Sequence, residues 1–204
     1  MNKSIAPTKG NLMSAKNTLR LSRQGYEMLD KKRNILIREM MLLIDQAKDI
    51  QASIEDTFTK AYQALGTANL VMGIDNVQDI MHMMPIEDRI DVKMRGVMGV
   101  EIPIVRCPED DRGLKYSLYS THSALDAAVL QFGEVKRLTI QLSEIENAVY
   151  RLAMNIKKTQ KRANALKNIT IPLYEKITKD ISVALEEKER EEHTRLKIIK
   201  KTKN

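Results

Sequence analysis

The 204-residue chain is predicted to be mainly α: a long antiparallel two-helix coiled coil made by its own N- and C-terminal arms, with a small insert containing a β-hairpin between them. Three observations carry this. First, apolar residues recur every seven positions along the first arm, at Leu12, Leu19, Tyr26, Met40, Ala47, Ile54 and Ala61, interrupted once by Arg33. A second row follows three residues behind, at Ala15, Leu29, Leu36, Leu43, Ile50 and Ala64, with Ser22 and Thr57 as polar breaks. These are the a and d positions of eight heptads. Second, the pattern returns near the other terminus, with Val135, Leu142, Val149, Ile156 and Ala163 in one row and Leu138, Ile145, Leu152 and Leu166 in the other. Third, about 57 residues between the arms are broken by glycine and proline, which gives the chain room to reverse. Heptads alone leave a parallel homodimer open as a competing arrangement.

Residues 1–65 form the first arm. From Leu12 to Leu65 there is no proline and one glycine, Gly25, so a single helix of about 80 Å is expected. Residues 66–122 form the insert, which begins where Gly66-Thr67-Ala68-Asn69 is expected to end the helix. Ile90 to Met94 and Val100 to Val105 each alternate apolar with polar or charged residues, around Arg95-Gly96-Val97-Met98-Gly99. That reads as a hairpin at about residues 88–106, with Pro103 on an edge because proline cannot donate to a ladder. Cys107 to Gly113 is a polar turn, and Ser120 or Ser123 is the expected cap of the next helix.

Residues 123–204 form the second arm, about 115 Å long if helical to Lys200. A kink is expected near Pro172, since proline removes one internal hydrogen bond and its ring presses on the carbonyl four residues earlier. The spacing resumes as Leu173, Ile177, Ile181, Ala184 and Leu185. Residues 186–195 are nearly all charged, with Glu186–Arg190 and Glu191–Arg195 at the favourable i, i+4 spacing, and read as exposed helix. Beyond them Leu196, Ile198 and Ile199 form an apolar patch among lysines, more than a solubilising tail requires.

Aromatic content of 4%, charged content of 30% and the absence of tryptophan suit long helices. A lone cysteine, Cys107, and an N-terminus without a signal-like apolar core point to a cytosolic protein, and no apolar run is long enough to cross a membrane. The net charge of +7 is unevenly placed: 11 basic and 7 acidic groups in residues 1–65, 6 and 9 in 66–122, 17 and 11 in 123–204. The first 33 residues hold eight Lys or Arg against two acids, and the last ten hold five against none. Antiparallel arms would gather these into one cationic tip, suited to nucleic acid, an anionic membrane or an acidic protein cavity.

Catalytic signatures are missing: no GxxxxGK[ST], GxGxxG or HExxH, and no paired cysteines for zinc. His122 and Cys107 lack the context of a nucleophilic pair, Met81-His82-Met83-Met84 reads as apolar contact before a Cu(I) site, and Glu109-Asp110-Asp111 lacks calcium-loop spacing. No catalytic residue, cofactor or metal is expected.

Pro7-Thr8-Lys9, Leu12, Leu19, Gly25 and Leu29-Asp30-Lys31-Lys32-Arg33 resemble the N-terminal signature of the D subunit of V-type and archaeal A-type rotary ATPases. So do Arg162-Ala163-Asn164-Ala165-Leu166, Ile171-Pro172, Glu187-x-Glu189-Arg190-Glu191 and Arg195-Leu196-Lys197-x-x-Lys200. The resemblance covers essentially the whole chain, except that the methionine-rich stretch from Met72 to Met98 has no residue-by-residue match. It implies a non-catalytic central-stalk rotor subunit, one copy per complex. Such a subunit carries torque between ATP hydrolysis or synthesis in a ring of A and B subunits and ion movement in the membrane rotor. Further partners would be the small F subunit and a funnel-shaped subunit that meets the membrane ring, with the chain cytoplasmic and peripheral to the membrane. On that reading Lys3, Lys9, Lys16, Arg20, Arg23, Lys31, Lys32 and Arg33 of one arm, and Arg190, Arg195, Leu196, Lys197, Ile198, Ile199 and Lys200 of the other, face the ring. A coiled-coil nucleic-acid binder is the alternative from another class, disfavoured because aromatics do not interleave with the basic residues. A third is an adaptor with a recognition head in residues 66–122.

Overall fold

A computed structural model describes residues 6–84, 90–106, 116–117 and 121–202. The elements in chain order are α1 (Lys9–Met72), α2 (Ile74–Met83), β1 (Asp91–Val97), β2 (Val100–Arg106), α3 (Ser123–Ala165), a π-helical turn (Leu166–Thr170) and α4 (Ile171–Thr202). They divide into two compact units, residues 1–35 with 156–204, and residues 36–155.

In the first unit α1 starts at a capped end. The Thr8 hydroxyl accepts the Asn11 backbone N–H at 3.2 Å, and the Asn11 amide donates back to the Ala6 carbonyl at 2.8 Å. These bonds satisfy a first-turn donor that no helical carbonyl can reach. Contacts with the second arm run in opposite order along the chain: Lys9 meets Glu189, Arg23 meets Glu175, Tyr26 meets Lys167 and Arg33 meets Gln160. The arms are antiparallel. Ala15, Ser22, Thr159, Ala163 and Ile181 are buried, while Leu12, Leu19, Tyr26 and Leu29 are half-buried, so the heptad rows are the seam.

Pro172 does not end the helix. The hydrogen-bond ladder instead widens over Leu166–Thr170, and the Ile171 N–H reaches back five residues to the Leu166 carbonyl. Pro172 then falls at the second position of α4, in the first turn after the ladder changes. The π turn holds one residue more than a strict heptad allows; of the expected apolar positions Ile177, Ile181, Ala184 and Leu185 are buried or half-buried, and Leu173 is the one that is not. Two heptads beyond Leu166 lies Asp180, which is exposed; the buried residue is Ile181. Leu173 is likewise 47% exposed, and Tyr174 takes its place on the seam.

In the second unit α1 runs on through Gly66 to Met72, so the change at Gly66 is one of composition, not of structure. Gly73, with φ of 82°, makes the break that leads into α2, a conformation that only glycine adopts cheaply. Leu36 and Leu152 are fully buried, and Ala61, Ala68, Val77, Leu125, Ala128, Val135 and Ala148 extend the core. Tyr62 on α1 meets the Phe132 ring of α3 edge-on at 5.6 Å, again in antiparallel order. The cap of α3 is His122, whose Nδ1 accepts the Ala124 N–H at 3.2 Å; of the expected caps, Ser123 is the first helical residue and Ser120 lies outside the described residues. Tyr116 donates a hydrogen bond to Asp126 in the same first turn.

β1 and β2 pair antiparallel from Asp91↔Arg106 to Val97↔Val100. Only Met98 and Gly99 form the turn, so Arg95 to Val97 belong to the strand and not to the loop expected there. Both turn residues have positive φ, 50° and 74°, as a two-residue turn matched to strand twist requires. Val100 and Ile102 are buried on one face. The β2 edge is tied to α3: the Val105 N–H donates to Glu144 at 2.8 Å, and Arg151 donates to the Glu101 carbonyl at 3.3 Å. Pro103 lies between them on that edge, where its missing N–H costs no ladder bond.

Candidate functional site

The first unit holds every sequence-predicted contact residue except Lys3, which lies outside the described residues. Lys9, in the first turn of α1, binds Glu189 at 3.0 Å, and that hydrogen bond holds its ammonium above the ordinary lysine range. Arg23 donates to Glu175 at 2.6 Å. Lys16, Arg20 and Lys31 are exposed and Lys32 is half-buried; among the described residues none of the four has an ion-pair partner.

Arg33 occupies a seam position with its side chain only 25% exposed, and each nitrogen of its guanidinium has a partner. It pairs with Asp30 at 2.8 Å one turn back, donates to Gln160 on the other arm at 2.7 Å, and contacts Asn34. Gln160 in turn donates to Asn164 at 2.8 Å. A polar layer therefore crosses the seam, next to the buried Thr159, and a layer of this kind fixes register. The i, i+3 spacing of Asp30 and Arg33 signalled half of it. The cross-arm half needed the register itself, which heptads do not specify.

On α4 every residue from Glu186 to Thr202 is exposed. Arg195 pairs with Glu191 at 3.7 Å as expected, while Arg190 lies nearer Glu187, at 3.9 Å, than Glu186. Leu196, Ile198 and Ile199 are 65%, 59% and 56% exposed beside Lys197, Lys200 and Lys201. Helix persists here although α1 begins at Lys9, and among the described residues this apolar and cationic surface has nothing of its own chain to cover it. It can bind an apolar surface edged with carboxylates.

Elsewhere the chemistry is sparse. Among the described residues no three His, Cys, Asp or Glu side chains gather as a metal site, and no helix is long and apolar enough to cross a membrane. Met81, His82 and Met83 are consecutive on α2 and so fan out at about 100° steps instead of converging on one ion. His122 is engaged as a helix cap, and Cys107 lies outside the described residues.

The family described as the ATP synthase D subunit matches residues 11–201. The V-type ATP synthase D subunit of Thermotoga neapolitana is 43% identical over 197 residues, covering 97% of both chains. The A-type ATP synthase D subunit of Methanobrevibacter smithii is 35% identical, covering 97% of this chain and 87% of the relative. That of Pyrococcus abyssi is 34% identical, covering 96% and 93%. With two antiparallel helical arms, a hairpin between them and a match along nearly its whole length, the chain belongs to the D-subunit family of V-type and A-type ATP synthases.

Proposed function

We propose that this chain is the non-catalytic central-stalk rotor subunit of a V/A-type ATPase, present once per complex, and that it carries torque between the ring of A and B subunits and the membrane rotor. The family match over residues 11–201 is the observation that carries the reading. The structure supports it physically. Two helices packed along a seam resist bending and twisting better than one, and a chain with no internal symmetry presents different faces to repeated sites around it, biasing each toward a different state. The exposed end of α4 and the cations of α1 supply contact surface: Lys3, Lys9, Lys16, Arg20, Arg23, Lys31, Lys32 and Arg33 with Arg190, Arg195, Leu196, Lys197, Ile198, Ile199 and Lys200 form the ring-facing group. The small F subunit and a funnel-shaped subunit that meets the membrane ring complete the partner set, with the complex on the cytoplasmic side of the membrane. Nucleotide and magnesium belong to the surrounding ring.

Purification of a tagged chain from its native membranes tests this. The expected result is ATP hydrolysis in the eluate and one copy of the chain alongside three copies each of two nucleotide-binding subunits. A homodimer, or the chain with nucleic acid and no ATPase, overturns it.

A further inference from the structure

The two edges of the hairpin are treated differently by the rest of the chain. Val105 N–H and Glu101 C=O both bond to α3, so the pairs Val92↔Val105 and Gly96↔Glu101 are the non-hydrogen-bonded kind, whose backbone groups point away from the partner strand. On β1 the outward groups are therefore those of Val92, Met94 and Gly96. Among the described residues nothing bonds to them. A row of three free N–H and three free C=O groups is a template for another strand.

The side chains along that edge narrow the choice of strand. Val92 and Met94 are 55% and 52% exposed, and they border a groove of about 350 Å³ whose apolar side is completed by Ile90, Pro103, Val105 and Ile140 and whose polar side includes Glu144 and Arg151 of α3, the latter 3.9 Å from the Met94 sulfur. Gly96 leaves open space where a Cβ would stand, which allows close backbone approach. On the opposite face the charges are unbalanced. Asp91 lies across from Arg106, whereas Lys93 and Arg95 lie across from Ile104 and Ile102 and have no ion pair among the described residues. A second copy of this chain is a poor occupant, because antiparallel pairing of β1 with itself about Met94 sets Lys93 against Arg95.

We infer that the free edge of β1 takes an extended segment of a partner protein, one that alternates apolar residues, placed beside Val92 and Met94, with carboxylates placed beside Lys93 and Arg95. The inference is independent of the rotor reading, and so is its test. The full chain, isotopically labelled, is titrated with a peptide of alternating glutamate and valine while its amide resonances are followed. Amides of Val92, Met94 and Gly96 are expected to shift and to exchange more slowly, while those of Lys93 and Arg95, already bonded within the hairpin, hold their protection. A lysine–valine peptide is expected not to bind. Met94→Pro deletes the central outward N–H and leaves the ladder intact, as Pro103 does on the other strand, so Ile102 and Ile104 amides stay protected while binding weakens about tenfold. The inference is overturned if no β1 amide responds, if the lysine peptide binds equally well, if Met94→Pro binds unchanged, or if the same shifts appear on raising the chain concentration without peptide. In the first case the lysine and arginine serve only to keep the edge from pairing.

Discussion

Arg33 shows how a single residue that breaks the heptad pattern is accommodated. A guanidinium on a seam position costs stability unless it is solvated or paired, and here Asp30, Gln160 and Asn34 receive its donors. Arg33→Leu fills the same volume with an apolar side chain, and Asp30, itself 32% exposed, returns to water. Stability is therefore expected to change by less than about 1 kcal/mol in urea unfolding, since replacing a partly buried pair by a packed hydrophobe is often neutral. Tyr116 is the second residue with a measurable signature. Burial and its hydrogen bond to Asp126 push its phenol up to about 12, above the ordinary value of 10. A raised phenol pKa means that the neutral form is favoured in the folded state. Its stabilisation is complete below pH 10 and is lost as pH rises from 10 towards 12. In an ultraviolet titration Tyr116 should ionise late, and Tyr116→Phe should remove that late phase.

At the scale of elements, the seam was legible because burial follows period: all sixteen a and d positions from Leu12 to Ala64, polar breaks included, are buried or half-buried. The hairpin is legible from alternation, but its turn is shorter than the sequence suggests, because Arg95-Gly96 looks like a loop until the register shows Met98-Gly99 to be sufficient. Pro172 marks a disturbance in the sequence without specifying a π turn. Two solutions, a kink or a widened turn, relieve the same clash, and the half-burial of Tyr174 in place of Leu173 tells them apart. If that extra residue sets the phase, deleting Ile169 together with Pro172→Ala should give an uninterrupted α-helix with Tyr174 and Ile181 still on the seam and near-native thermal stability. Deleting Ile169 with Pro172 retained places proline inside a regular ladder and should cost about 3 kcal/mol. The candidate contact residues were legible as charge and apolar clusters. Their internal partners, Glu189 for Lys9 and Glu175 for Arg23, were not, because they depend on how far one arm slides along the other.

For the molecule as a whole, exposure separates folding from assembly. Leu196 and Ile199 contribute nothing to the buried seam, so replacing both with aspartate should leave unfolding by heat or urea unchanged while reducing incorporation into the ATPase complex. The central claim is that the chain turns within a ring. It is tested most directly by a reversible tether: Ile199→Cys, cross-linked by disulfide to a cysteine on a ring subunit in the assembled complex, with ATP hydrolysis measured before and after reduction. The account predicts that hydrolysis stops when the tether forms and returns when it is reduced. Undiminished hydrolysis with the tether in place would contradict it.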